Sequence, residues 1–161
     1  MSTLSKKVLV CLCLLPLLLP GRLLVQAPAD RTLGIHTAAA DARQVDCLAR
    51  NIYHESRGES FWGQVAVAQV TLNRAKHKLW PSNLCAVVYQ HAQFSWTLTK
   101  RKPVRDTKAW RESMIIARAV LRGTLHIPNF HATHFHTKQV KPRWRRSMQV
   151  AATIGNHIFY H

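Results

Sequence analysis

The chain has 161 residues, with 23 Lys plus Arg against 7 Asp plus Glu and ten His, a formal net charge of +16. One domain fits that length, and an apolar share of 47% with only 6 Gly and 7 Pro excludes a disordered, low-complexity or collagen-like chain. The charge points to a polyanionic partner, while seven carboxylates leave a very short list for acid–base chemistry.

Met1 to Ala29 has the layout of a secretory signal peptide: Lys6 and Lys7, the apolar run Val8 to Leu19, then Ala27-Pro28-Ala29 before Asp30. The run is twelve residues long and contains Pro16, whereas a membrane span takes about 20, so cleavage after Ala29 is expected over a permanent signal-anchor. Removing 29 residues from 161 leaves 132, carrying 20 bases and all 7 acids. An exported chain does not meet genomic DNA or tRNA. No nucleic-acid partner is therefore expected, and envelope glycans, with an anionic lipid surface as a second partner, take its place. Cys47 and Cys85 remain after export, 38 positions apart. An even pair in this compartment reads as one disulfide, with two buried thiols as the alternative.

Asp30 to Thr37 lacks periodicity and reads as a lead-in. From Ala38, apolar Val45, Leu48, Ala49, Ile52 and Tyr53 recur at three and four residues and predict a helix that stops at Gly58. A second helix is expected from about Gly63 to Lys76, with one small-residue face and one bulkier face, before Pro81 forces a break. Asn83 to Tyr89 reads as a short helix or turn carrying Cys85. Gln90 to Arg105, rich in aromatics and Thr, reads as a loop or small hairpin. Trp110 to Leu121 is a third amphipathic helix ended by Gly123. His126 to Val140 is expected to be extended, and Gln149 to Phe159 closes the chain as an apolar segment on the core. The sum is a mainly helical α+β single domain.

Five of the seven carboxylates have ordinary explanations. Asp30 sits at the new N-terminus, Asp41 and Asp46 lie early in the first helix, Glu112 lies on the polar side of the third, and Asp106 is in a basic loop beside Lys108. Glu55 fits less easily. It occupies the last turn of the first helix, where the negative end of the dipole and the apolar neighbours Ile52 and Tyr53 both push a carboxyl pKa upward, as a general acid at neutral pH requires. Arg57 opposes that shift if it turns inward, and pairing with Arg57 or Arg50 is the plain structural alternative.

The blocks Leu48-Ala49-Arg50-Asn51-Ile52-Tyr53-His54-Glu55-Ser56-Arg57-Gly58-Glu59 and Gly63-Gln64-Val65-Ala66-Val67-Ala68-Gln69-Val70-Thr71-Leu72-Asn73-Arg74 resemble the cell wall hydrolase family of the spore cortex-lytic enzyme SleB. Cys85 to Gln90, Gln93-Phe94-Ser95-Trp96, Ala132 to His136 and Ile154 to Tyr160 continue the resemblance in order, so that 1–29 reads as signal, 30–46 as lead-in and start of the first helix, and 47–160 as the catalytic domain. The resemblance implies a lysozyme-like fold, cleavage of the β-1,4 bond between N-acetylmuramic acid and N-acetylglucosamine, and Glu55 as catalytic acid. The family usually has Ala where Ser56 stands. Two-carboxylate glycosidases hold their acids about 5–5.5 Å or about 6.5–9.5 Å apart. Here Glu59 is the only near second acid, with Asp106 further off in reserve. A single acid suffices if the C6 hydroxyl of muramic acid replaces water and yields a 1,6-anhydro sugar, so a lytic transglycosylase is expected ahead of a hydrolase.

His131, His134 and His136 form His-x-x-His-x-His, whose third member has the wrong strand parity and no neighbouring carboxylate for zinc; neither metal nor cofactor is expected. As matches to a family block, His134 and His136 are read as cleft residues that bind sugar. Gln93, Phe94 and Trp96, with Tyr53 and Trp62 flanking Glu55, offer flat rings and an amide for sugar faces, and Glu59 joins the substrate-binding set. Lys100-Arg101-Lys102 and Arg143-Trp144-Arg145-Arg146 read as solvated basic loops. The expected protein is a monomer in a Gram-negative periplasm, from a phage that lyses its host or a bacterium remodelling its wall; the cysteine pair argues against spore cortex. The competing class is a non-enzymatic cationic protein that binds envelopes or nucleic acid.

Overall fold

The computed structural model describes residues 31–98 and 103–161, with side chains from Asp41 onward. The signal segment and Lys100-Arg101-Lys102 lie outside the described residues. Four helices, α1 (Arg31–Ser56), α2 (Phe61–Lys76), α3 (Leu84–Val88) and α4 (Thr107–Leu121), precede three strands, β1 (His134–Thr137), β2 (Val150–Ile154) and β3 (His157–Tyr160). Single 3-10 turns lie at Ser95–Thr97 and Arg143–Ser147.

Helix α1 begins at Arg31, seven residues ahead of the expected start, so the lead-in is helical backbone. The Ala-rich run Ala38 to Ala42 extends an established helix, and propagation gains one hydrogen bond for each residue fixed without a second nucleation. The helix ends where Gly58 takes φ +91, a backbone conformation that side chains resist. Ser60 then caps α2, its Oγ accepting the Gly63 N–H at 3.2 Å.

Nine of the 16 residues of α2 are buried, so the helix is apolar on both sides and forms the centre of the domain. One side, with Val65 and Ala68, packs against Leu48, Ala49 and Ile52 of α1 and Ile116, Ala117 and Val120 of α4. The other, with Ala66, Val67 and Val70, packs against Phe130, Ala132 and Phe159 from the sheet layer. The sheet is antiparallel in the order β1-β3-β2. The closing apolar segment is therefore a hairpin. Its two-residue turn is Gly155-Asn156, with positive φ at Gly155 alone, the pattern of a type II′ turn.

Of the loop and the small hairpin expected between Gln90 and Arg105, the described residues take the loop, built from turns and the Ser95–Thr97 3-10 turn. The extended stretch ahead of β1 has its carbonyls satisfied by α2 side chains. Gln69 Nε2 donates to Ile127 O and Phe130 O, Asn73 Nδ2 to Phe130 O and Ala132 O, and Arg74 Nε to Thr133 O at 2.6 Å. Polar residues along one edge of α2 thus hold a strandless segment in place. Cys47 in α1 and Cys85 in α3 form the expected disulfide, with Cα atoms 5.2 Å apart.

Candidate active site

Glu55 sits half-buried in the last turn of α1. Burial pushes its carboxyl from 4.5 up to about 7, against the opposing pull of the Arg74 guanidinium. The opposing cation is not Arg57, whose guanidinium lies 4.8 Å over the Tyr53 ring, nor Arg50, which pairs with Asp46 at 2.8 Å. Neither of the arginines considered as structural partners is engaged with Glu55.

Arg74 comes from the last turn of α2 and is only 6% exposed. Its guanidinium lies over the rings of Phe94, at 5.4 Å, and Trp80, at 5.9 Å, while Nε holds Thr133 O. One terminal nitrogen, Nη1, is buried without a hydrogen-bond partner among the described residues. Burial pushes the group down to about 10, an effect that Glu55 partly offsets, so it remains a cation at neutral pH. A charge this buried resists loss of its field to solvent and acts on Glu55 through low-dielectric surroundings.

Beside it, on β1, His134 and His136 share one strand face as expected, and both ring systems meet Trp144, at 5.2 and 5.6 Å. Burial first, and Arg74 second, push the His134 pKa down, so His134 is neutral at pH 7. Its Nδ1 is 3.0 Å from Thr133 Oγ1. In buried His136, Nδ1 donates to Thr137 O at 2.8 Å, which leaves Nε2, in the neutral ring, to accept from the Tyr160 hydroxyl at 2.8 Å.

The segment with Gln93, Phe94 and Trp96 is fixed by a buried polar chain. Trp96 Nε1 donates to Asn51 Oδ1 at 3.4 Å, Asn51 Nδ2 to Thr71 Oγ1 at 3.0 Å, and Thr71 Oγ1 to Val67 O at 3.1 Å. The Trp96 ring stacks on His54, the neighbour of Glu55, with centroids 4.5 Å apart. Phe94 and Trp96 are buried, and Gln93 is half-buried at their edge.

Two of the expected substrate contacts also hold the fold together. Tyr53 is buried, and its hydroxyl accepts the backbone N–H groups of Arg105 and Asp106 at 3.2 and 3.1 Å, pinning the start of α4. Glu59 accepts the Asn156 backbone N–H at 3.0 Å and its Nδ2 at 3.1 Å, with His157 Nδ1 at 3.9 Å, so it ties the α1–α2 corner to the β2–β3 turn. Asp106 is the N-cap of α4, its Oδ1 accepting Lys108 and Ala109 N–H at 3.0 Å each. Both reserve acids are thus held by backbone or amide donors. Trp62 is half-exposed against Phe61, centroids 5.3 Å apart.

The cell wall hydrolase family model matches residues 58–160. The chain belongs to this family. The spore cortex-lytic enzyme of Oceanobacillus iheyensis is 30% identical over 118 residues, 71% of this chain and 40% of that protein. The enzyme of the same name from Bacillus cereus is 39% identical over 116 residues, 71% of this chain and 43% of that protein. The chain thus spans about two fifths of the length of these relatives. Among solved structures, the catalytic domain of the germination-specific lytic transglycosylase SleB from Bacillus anthracis superposes with a TM-score of 0.61 at 24% identity, covering 73% of this chain and 93% of that one. This cell wall hydrolase domain accordingly has the lysozyme-like α+β fold that its sequence resemblance implied. The relatives come from Gram-positive Bacilli and give no support to a Gram-negative periplasm, nor to the argument from the cysteine pair against spore cortex.

Sequence reasoning missed Arg74, Trp80 and Trp144. Arg74 closes the second resemblance block, but nothing in its helical position distinguishes a buried cation from a solvated one in the last turn, where bases are ordinary.

Proposed function

We propose that this cell wall hydrolase domain cleaves the β-1,4 bond between N-acetylmuramic acid and N-acetylglucosamine as a lytic transglycosylase with Glu55 as its single catalytic carboxyl. One observation carries this reading: Glu55 is held near pKa 7 beside Arg74, while Glu59 and Asp106 are both engaged in structural hydrogen bonds. Protonated Glu55 gives its proton to the glycosidic oxygen as the bond to C1 breaks. The resulting carboxylate takes the proton of the muramic C6 hydroxyl as its oxygen bonds to C1, which closes the 1,6-anhydro ring and restores the acid. A group titrating near the working pH serves both steps.

Gln93 and His134, half-buried with polar atoms at the edge of the site, would contact the sugar, while buried Phe94, Trp96 and His136 hold them in register. The names of the relatives and of the superposed domain, spore cortex-lytic enzyme and lytic transglycosylase, agree with a peptidoglycan substrate. Export through Met1 to Ala29 would deliver the domain to the wall, for remodelling by a bacterium or lysis by a phage. Glu55→Gln on purified peptidoglycan tests the reading: solubilisation is expected to stop, and mass spectrometry of wild-type products is expected to show anhydro-muramic ends. Solubilisation by the pure variant would refute Glu55 as the catalytic acid, and failure of the wild type to solubilise peptidoglycan would return the chain to the cationic, non-enzymatic class. Reducing-end muramic acid in place of anhydro sugar would exclude the one-carboxylate route.

A further inference from the structure

From Ser113 to His161 the sequence contains no Asp or Glu, and five bases fall between Lys138 and Arg146. Lys138, Lys141, Arg143 and Arg146 are exposed and Arg145 is half-buried. The ion pairs among the described residues are Arg50 with Asp46 and His157 with Glu59, so none of these five charges is neutralised by a described carboxylate. This stretch is not a loose tail. Trp144 packs against His134, His136 and Tyr160 with centroids 5.2, 5.6 and 5.4 Å away, Arg145 N–H donates to Pro142 O, and Ser147 Oγ donates to Trp144 O. The ring that anchors the turn touches His134, which lies in the field of the same Arg74 that faces Glu55. The turn that carries these bases therefore borders the catalytic face and is anchored there through Trp144.

We propose that the Lys138 to Arg146 turn is a subsite for the free carboxylates of the peptide stems carried by the glycan strand. This rests on the glycosidase reading above and adds the part of the polymer that is recognised. An alternating N-acetylated glycan with amide-linked stems has its negative charge on the peptides, and planar guanidinium groups match carboxylates through paired N–H donors. Nucleic acid fits less well, because the one aromatic ring of the turn is committed to His134, His136 and Tyr160 and offers no base a stacking surface. A lipid surface fits less well for the same reason, since Val140 is the only large apolar side chain the segment exposes.

The test compares wild type with the double variant Arg143→Gln/Arg146→Gln on two substrates, intact peptidoglycan with free stem carboxylates and the same peptidoglycan with those carboxylates converted to amides by carbodiimide coupling with ammonia. For wild type, kcat/KM is expected to favour carboxylate-bearing strands over amidated ones roughly tenfold, the scale of two exposed charge-assisted contacts, and the ratio is expected to fall toward one in the variant. An unchanged ratio overturns the proposal. If wild type cuts neither substrate, the glycosidase reading fails, and co-sedimentation decides the subsite on its own. The variant must then bind carboxylate-bearing sacculi more weakly than wild type at equal salt while binding amidated sacculi equally. A variant that loses only binding to phosphatidylglycerol vesicles, or only binding to DNA, marks a lipid or nucleic-acid patch and refutes the peptide subsite.

Discussion

Replacing Glu55 by Gln is expected to stabilise the domain, and by an amount that grows with pH. The folded carboxyl titrates at about 7 and its unfolded counterpart at 4.5, so between these values the native state holds a proton that the unfolded state has released. Stability therefore falls as pH rises through this window, and it is level below 4.5 and above 7. The rise from 4.5 to about 7 corresponds to a loss of about 3 kcal/mol by pH 8. Gln reproduces the neutral acid in size and hydrogen bonding and never ionises, so Glu55→Gln escapes the loss. Urea unfolding of both proteins at pH 4 and pH 8 measures the difference, which is expected to be near zero at the acid end and about 3 kcal/mol in favour of the variant at the alkaline end. A gap that does not widen between the two pH values refutes burial as the cause of the raised Glu55 pKa. A gap of opposite sign would mean that Arg74 outweighs desolvation and that the native site prefers the carboxylate.

Removing the cation that opposes the shift, by Arg74→Gln, is expected to move the alkaline limb of kcat/KM above its wild-type position near pH 7, because desolvation then acts on Glu55 unopposed; a pH–rate profile with a limb at or below the wild-type one contradicts the pairing. Gly155→Ala places a Cβ against Glu59 Oε2 and forces a side chain to φ +58. Thermal unfolding is expected to report a loss of at least ~2 kcal/mol, and a near-neutral result would show that the Glu59 clamp on Asn156 is slack. Reducing the Cys47–Cys85 bond, which spans 38 residues, is expected to cost about 4 kcal/mol by loop entropy, read as a lowered denaturation midpoint in the presence of a thiol.

Period and breakers made α2, α3 and α4 legible, but not every start: capped by Ser60 and Asp106, α2 and α4 begin two and three residues ahead of the expected Gly63 and Trp110. The placement of Glu55 at a helix end among apolar neighbours was also legible, and the direction of its shift with it. What could not be read was long-range. The burial of Arg74 depends on Phe94, Trp80 and Thr133 meeting from three separate segments, and no local pattern encodes that encounter. The same holds for Glu59. Its distance in sequence from Asn156, 97 positions, hides the hydrogen bonds that tie it to the β2–β3 turn. The hairpin that closes the chain was missed because Ile154-Gly155-Asn156-His157 interrupts a run too short to show strand alternation on both sides.

On the proposed one-carboxyl route, the two forces on Glu55 bear directly on how the group serves two proton transfers. Burial alone would leave the group protonated well above neutrality, an acid able to cleave but slow to recover a proton from the C6 hydroxyl. Full exposure would leave it ionised, a base with nothing to donate. Arg74 supplies a fixed opposing charge because its own solvation has been surrendered to Phe94, Trp80 and the Thr133 carbonyl, so its field on Glu55 is weakly screened. The balance lands near 7, where both protonation states are populated and the transfer in each direction has little driving force to overcome. A second carboxylate near Glu55 would raise its pKa further by like-charge repulsion. The engagement of Glu59 with Asn156 and of Asp106 with the α4 N-terminus is thus part of the same balance, since it directs their charge into hydrogen bonds elsewhere in the fold.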